Sequence, residues 1–520
     1  MELQSATKRI RKPATSSPSL PGAALHNILR MLEQSWDVLA LLHALRPSTL
    51  PPELLALRDL GAAVALADHW PLVHVTKIPV QHARLAIAAL PAFKGIYVDP
   101  GFAALAWLDA TLPPHMPVSL YVDPKVPGAV CAFAHAWGSH VVDVIVKGRH
   151  VQLDPIPDVL ARCVNVESVT IKNRAEPERT ATYLAAIPTT RLRTLEVLVF
   201  GEELEEVSAI VAWLQGPTAT SLTLACDAVR DPTALARAIQ ASITLTSLRF
   251  VDATDVQRAL VALPHDLHHM TSLAVHDRYG DGRPALRLLQ KLDSTNVLSF
   301  SLELAKQGDR DSDDSDCDSD DELTIANVLN TLAVYPALAS VRLVNARISA
   351  VTTVGVWPQL TSAILRRTVF KTASDIVLVI LQLSTSRCLR VVDLSHTELE
   401  EAGFVELARA LPAWMARGLQ TLVLSGTGFC DDDVVLFAVA LASGKNRRPL
   451  TINLTLNRLG LASLTLLLSA LSACRNVALH VETGRFTYDM LSLAQWHELW
   501  QVRPGVFMSP PQTSSLWHSI

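Results

Sequence analysis

The chain has 520 residues, 49% hydrophobic and 18% charged, with a formal net charge of −5, a balance that excludes a general nucleic-acid binder. Its seven cysteines are scattered and form no CxxC pair, which argues against a disulfide framework and for reduced, intracellular thiols, several of them small core residues. The polar N-terminus has no apolar stretch behind its basic residues and no run of about 18 apolar residues occurs, so neither a secretory signal nor a membrane span is expected.

In chain order, residues 1–19 are Ser/Pro-rich and carry Lys8, Arg9, Arg11 and Lys12. That composition predicts a disordered, solvated basic tail. A cluster of this size also serves as a nuclear import signal, so cytoplasmic and nuclear locations both fit.

Residues 20–66 form a separate helical module. Leu25, Ile28, Leu29 and Leu32 follow helical spacing. A second helix is predicted from near Asp37, with Val38, Leu41, Leu42 and Leu45 on one face and Pro47 ending it. A third is predicted over Glu53 to Ala67, carrying Leu54, Leu55, Leu57 and Leu60. On these residues alone the module reads as a helical cap, which a repeat array needs at its ends.

The same residues resemble an F-box. Leu20-Pro21, Ile28-Leu29, Leu32, Asp37-Val38 and Leu41-Leu42 stand where that family has its Leu-Pro start, Ile-Leu pair, further Leu, Asp-Leu-like pair and leucine-rich helix. Two positions depart from the pattern. Gly22, Ala23 and Ala24 replace the early acidic residue, and no tryptophan follows the second helix before Trp70. The resemblance implies docking on the Skp-family adaptor of a cullin ubiquitin ligase, with Leu29, Leu32, Leu41 and Leu42 as docking residues.

From residue 67 to 486 one motif recurs: apolar, two variable, apolar, one variable, apolar. It starts at Trp70, Phe93, Pro117, Val141, Val166, Leu192, Ala219, Leu245, Met270, Val297, Leu338, Leu360, Leu389, Leu419, Pro449 and Asn476. The best copies begin 30 residues apart, at 389, 419 and 449. Independently, the string YVDP occurs at Tyr97–Pro100 and again at Tyr121–Pro124, in register with the motif. A fixed period means that each unit buries its face only against its neighbours. Each should be a strand, a turn and a returning helix; Phe404, Leu407, Ala408 and Leu411 show the stripe of a half-buried helix, and Asp431, Asp432 and Asp433 can cap the next one. The repeats resemble those of ribonuclease-inhibitor-like leucine-rich-repeat proteins. The expected fold is therefore an α/β leucine-rich-repeat solenoid, a horseshoe of about sixteen repeats behind a small F-box-like helical module.

One gap is too long, from 297 to 338. It contains Gly308 to Asp321, 14 residues of mostly Asp and Ser, whose removal restores the local spacing. Residues 308–322 are read as a disordered acidic insertion within a repeat, held open by self-repulsion. Alternating aspartates suggest a calcium loop, but Asp314 stands where the sharp turn requires glycine. Ser315 and Ser319 each have an acidic residue three positions on, as acid-directed kinases such as casein kinase 2 prefer. Residues 487–520 read as a closing helix, Met490 to Trp500, and a loose tail.

Catalytic signatures are absent: no phosphate loop, no GxSxG elbow, no HExxH and no kinase set. Apart from Asp266, His265, His268 and His269 lack further ligands at metal spacing, so a solvent-facing loop is favoured over a metal site. No enzyme activity, cofactor or metal is expected.

Binding residues follow from strand alternation. If the first, fourth and sixth positions point inward, the third, fifth and seventh line the concave face. The third is Ser or Thr in many repeats, expected as a hydrogen-bonded structural ladder. Tyr97 with Tyr121, and Asp99 with Asp123, should form a stacked aromatic pair beside paired carboxylates, since neighbouring strands lie about 4.8 Å apart. Arg249, Arg342 and Arg366 make the later face mixed in charge. The sequence thus points to a protein-binding adaptor, one copy within a larger complex. Its partners would be a Skp-family adaptor and an unidentified substrate protein, with no nucleic acid and no membrane. A repeat scaffold with no ligase link is the alternative. A GTPase regulator is disfavoured, because only Asn457 supplies the ninth-position asparagine of that class.

Overall fold

The computed structural model describes residues 22–99, 112, 116–122, 127–148, 156–173, 177–278, 282–305, 328–352, 354–474, 476–482 and 506–509. The basic tail, Leu20-Pro21, Asp123, the acidic run with Ser315 and Ser319, and Met490 to Trp500 lie outside them. The chain falls into two compact units. The first holds residues 1–147, 151–169 and 186–188; the second holds 148–150, 170–185 and 189–520.

The first unit opens with three helices, α1 (Gly22–Met31), α2 (Ser35–Ala44) and α3 (Pro52–Ala63). Pro52 sits at the first turn of α3, where its missing N–H costs nothing. Leu25, Leu29, Val38, Leu42, Leu54, Leu57 and Leu60 are buried among them. The Trp70 indole N–H donates to the Leu32 carbonyl at 3.0 Å, and its ring packs on Phe93 with centroids 5.7 Å apart. These contacts tie the helices to the first strands. β1 (Leu72–His74), β2 (Gly95–Val98), β3 (Val118–Val122) and β4 (Val141–Gly148) then pair in parallel, each with the next. A helix, α4 (Ala83–Ala89), connects β1 to β2. Gly95 is required where strands crowd, since a Cβ there would lie 2.7 Å from the Pro117 carbonyl oxygen.

The chain passes into the second unit along β5 (Ser168–Asn173). There β6 (Thr194–Leu204), β7 (Ser221–Val229), β8 (Ser247–Val251), β9 (Ser272–Asp277), β10 (Ser299–Leu304) and β11 (Ser340–Val344) form a parallel ladder. Next come β12 (Arg347–Ile348), β13 (Ser362–Arg366), β14 (Val369–Phe370), β15 (Val391–Asp393), β16 (Thr421–Val423), β17 (Leu450–Asn453), β18 (Val477–Glu482) and β19 (Val506–Ser509). β13 and β15 to β19 extend the ladder from β11, while β12 and β14 pair only with each other. The strands alternate with helices such as Glu400–Arg417 and Asp431–Ser443, so the fold is an α/β solenoid of the leucine-rich-repeat type.

The registers show why the motif has its spacing. Leu195, Leu222, Leu248, Leu273, Phe300, Val341, Ala363, Val392, Leu422, Ile452 and Leu479 lie opposite one another across successive strands, and all are buried. These are the fourth-position residues. The sixth-position row, including Leu224, Phe250, Val275, Leu302, Leu343 and Leu365, is buried beside it. On the helix side Phe404, Leu407, Ala408 and Leu411 are buried as their spacing predicts. Cys163 and Cys226 are buried, and burial pushes each thiol up to about 12, which keeps them as protonated core groups.

After six of the described strands of the second unit the chain turns sharply at the eighth position. Asp252, Asn345, Arg367, His396, Gly426 and Leu456 all have φ between 52° and 64° there. Non-glycine residues hold this left-handed conformation only where surrounding bonds over-determine it. The ninth-position residue supplies such bonds. The Asn457 side chain accepts from the Thr427 and Phe429 N–H groups at 3.1 and 3.2 Å and donates to the Leu424 and Leu454 carbonyls at 2.6 and 3.1 Å. Thr397 does the same work with one hydroxyl, donating to Leu365 and accepting from the Thr368 N–H. Of the three aspartates in the first turn of Asp431–Ser443, one caps that helix as expected and another serves the next helix. Asp433 closes a capping box with Cys430, whereas Asp431 accepts from the Gly460 N–H and the Ser463 hydroxyl at the start of the next helix.

Two predictions follow from the registers. Leu424→Asp should destabilise the protein by more than about 4 kcal/mol, because it places an unpaired charge at a side chain with no exposure. A near-wild-type cooperative melt would refute the inward assignment of that position. Deleting 308–321 should lower Tm by less than about 5 °C, because β10 and β11 on either side already pair directly. A larger fall in a calorimetric scan would show that the run supports a repeat.

Candidate functional site

In the first unit, the solvent side of β1 to β4 carries a small grid. His74 lies opposite Tyr97, Tyr97 opposite Ser119, and Ser119 opposite Asp143. Two residues further along are Asp99 on the β2 side, Tyr121 in β3 and Ile145 in β4, the last two opposite each other. Tyr97, Tyr121, Asp99, Asp143 and His74 are all half-buried, while Ser119 is buried between them.

The expected Tyr97–Tyr121 stack is corrected by the register. Both residues occupy the fifth position of their repeats, but β2 and β3 pair two residues out of that alignment. A shift of two keeps every side chain on its own face yet makes the tyrosines diagonal neighbours. Their ring centroids are 6.4 Å apart at 36°. The stacking partner of Tyr97 is instead His74, at 4.5 Å and 33°, with His69 a further 6.3 Å from His74. Burial, with Tyr121, Asp99 and Asp143 nearby, pushes the Tyr97 phenol up to about 12, so it stays protonated. Burial and then the Lys77 ammonium hold the His74 imidazole below its usual range, which favours the neutral ring.

The exposed face of the second unit is polar and partly self-neutralised. Arg249 is exposed, with no ion pair among the described residues. Arg342 reaches Glu303 at 3.4 Å. Arg366 bonds Asp393 at 2.7 Å through Nη2 and Ser395 Oγ at 3.1 Å through Nε. A pair missed in the sequence joins Arg278 to Asp252 at 2.6 Å, with the guanidinium 5.8 Å from the Phe200 ring centroid. Its signal was Asp252 at the eighth position, where an aspartate tolerates the left-handed turn. The third-position serines line up across the ladder as expected. The hydrogen-bonded hydroxyls, however, belong to the preceding position: Thr220, Thr246, Thr271 and Thr361 each donate to a carbonyl of the neighbouring repeat at 2.9 to 3.3 Å.

In the helical module, Leu29 and Leu42 are buried and pack the core, so they have no surface to offer a partner. Leu32 and Leu41 are half-buried. The exposed apolar residues are Ile28, Met31 and Trp36, at 38%, 80% and 66%. Sequence spacing could not separate these from core positions, because α1 and α2 are apolar on more than one side. A cleft of about 300 Å³ lies in the same unit, lined by Arg30, Pro91, Phe93, Lys94, Met116 and Pro117.

Among the described residues there is no group of three side chains able to hold a metal ion, and no helix is long and apolar enough to cross a membrane.

No protein-family model matches the chain, and no curated protein does. Solved structures with similar chains include the Rad7–Elc1 complex of yeast, at 12% identity and TM-score 0.38, covering 95% of this chain and 94% of that one. Others are the Toll–Spatzle complex of Drosophila (14%, TM-score 0.32, covering 76% and 48%) and a Bacteroides fragilis protein (14%, TM-score 0.28, covering 61% and 75%). The chain thus spans about half the length of the Toll–Spatzle chain that it matches. These likenesses are too distant to carry a function to this protein.

The Arg366–Asp393 pair generates a pH prediction. Burial opposes the charge on Asp393, but the Ser395 hydroxyl and N–H and the Arg366 guanidinium outweigh it and hold the carboxyl below its usual range. A depressed folded-state pKa contributes stability above the unfolded value of about 3.9, lost as pH falls through the lower folded value. Asp393→Asn should therefore cost about 1–2 kcal/mol at pH 7, discounted because Arg366 is 43% exposed, and less at pH 3. Equal destabilisation at both pH values in urea titrations would contradict this.

Proposed function

We propose that the protein is a non-catalytic adaptor, the substrate-recognition subunit of a cullin-type ubiquitin ligase. The solvent-facing strand surfaces hold the protein to be modified, and α1 and α2 hold a Skp-family adaptor. The chain then acts by proximity, raising the local concentration of substrate beside the ligase. It works as one copy within the complex, in the cytoplasm or nucleus, without a cofactor.

The observation that carries this reading is the set of exposed large apolar side chains on α1 and α2. A cap needs to bury only one face. Here Leu29, Val38 and Leu42 fill the core, and Ile28, Met31 and Trp36 still stand in solvent beside them. Large apolar side chains left in solvent on two consecutive helices are surface that a partner can cover. Burying a Met or a similar large side chain contributes about 1.5–3 kcal/mol, enough to anchor a partner helix. The F-box resemblance supplies the chemistry of that partner.

A scaffold without a ligase link is the second reading. It is favoured by the packing of α3 on α4 and by the Trp70 bond to Leu32, both of which a plain cap would also make.

Co-purification decides between them. The full chain should retain the Skp-family adaptor, and a Met31→Glu, Trp36→Glu variant should lose at least tenfold of it with an unchanged melt. Folded wild-type protein that retains no adaptor would leave the scaffold reading in its place.

A further inference from the structure

We infer that one edge of the second unit, where helices return to β15, β16 and β17, is a docking surface for an acidic segment of a partner protein. Arg387, Arg390, Lys445, Arg447 and Arg448 pair with its carboxylate or phosphate groups. This edge is distinct from the strand faces and from α1 and α2, and its test depends on neither.

Three loops lead into those strands: residues 385–390, 418–420 and 444–449. With Arg417, which ends the helix Glu400–Arg417, they carry six cations and neither Asp nor Glu. All six side chains are exposed, and none has an ion pair among the described residues. Bonds between the loops hold them side by side. The Gln420 and Thr421 N–H groups donate to the Arg390 carbonyl at 2.8 and 2.9 Å, and the Arg447 N–H donates to the Met415 carbonyl at 3.3 Å. Arg417 donates through Nη1 to the Ser384 and Ser386 carbonyls, which ties it to the loop of Arg387. The Arg448 side chain lies over Gly418, where an added Cβ would meet its Cδ at 3.4 Å.

Helix polarity accounts for a cation in a last turn, and Arg417 fills that role. The other five stand in the loops. Gathering like charges without an internal counter-ion costs self-repulsion, which an external anion relieves. Five of the six cations are arginines, whose planar fork pairs two oxygens of a carboxylate or phosphate at once. The opposite ends of the same helices carry Glu400 and Glu401, and Asp431, Asp432 and Asp433. Helices of 18 and 13 residues put about 27 and 20 Å between the two ends, so the positive field belongs to one edge. The loops hold no aromatic side chain on which a base could stack, and the net charge of −5 opposes a long polyanion. A short acidic segment meets the basic edge alone.

The test uses the full-length protein, and the same chain lacking 308–321 so that its own acidic run cannot compete. Fluorescein-labelled octa-glutamate, an octapeptide alternating phosphoserine with glutamate, and a short DNA duplex are the probes, read by anisotropy. Octa-glutamate should bind. Arg387→Gln with Arg390→Gln, and Arg447→Gln with Arg448→Gln, should each weaken it at least fivefold with an unchanged melt, since all four side chains are exposed. Arg237→Gln, which removes an exposed arginine from the helix Pro232–Ala241, should leave it within twofold. Tighter binding of the phosphoserine peptide, lost in the same variants, would assign phosphate as the preferred group of the segment. Failure of both chains to bind either peptide, or binding within twofold of wild type in both paired variants, would overturn the proposal. A duplex that binds more tightly than both peptides and is lost in the same variants would overturn it in favour of a nucleic-acid backbone.

Discussion

The structure depends on one constraint: every strand must lay its fourth and sixth residues against the same residues of its neighbours. Eleven successive fourth-position side chains, from Leu195 to Leu479, meet in register in the second unit and are buried. Nothing else in a repeat can bury them, so the core exists only as a row. Any change in register by one residue would expose the whole row. The remaining features of the fold serve this alignment. Hydroxyls of Thr220, Thr246, Thr271 and Thr361 bond across to the preceding repeat, and Asn457 and Thr397 fix the turn that ends the strand.

Once the inward rows are committed, the outward positions are free to vary. That freedom is where recognition can be placed. In the second unit much of it is spent on internal pairs, Arg366 with Asp393 and Arg342 with Glu303. In the first unit the outward residues include His74, Tyr97, Tyr121 and Asp143, half-buried around a buried Ser119. The difference lies in residue choice at the outward positions and in the shifted register of β2 with β3.

The repeats were legible in the sequence because periodicity reports burial directly. The spacing of the motif starts reproduces the registers of the second unit, including the pairing of β10 with β11 across the long gap. Legibility failed where backbone pairing departs from motif alignment. Tyr97 and Tyr121 share a position in the motif, yet β2 pairs with β3 two residues away from it, so the tyrosines became diagonal and His74 became the stacking partner. Nothing in the residues themselves announces such a shift. In the helical module the difficulty was different. Short helices with apolar residues on several sides give no clear face, and Leu29 and Leu42 proved to be core while Met31 and Trp36 stand outside. The sharp turns were hidden as well, since only Gly426 among the later eighth positions carries the residue that a left-handed conformation favours.

The central claim is that two surfaces of the chain engage two different proteins. Hydrogen–deuterium exchange on the full chain, alone and with its co-purified proteins, tests it most directly. The account predicts slowed exchange in two segments sets, residues 28–45 with the adaptor and residues 95–99, 118–122 and 141–147 with the substrate, each arising separately when one protein is present. Slowed exchange confined to the helices of the repeats, with both of these regions unchanged, would contradict it.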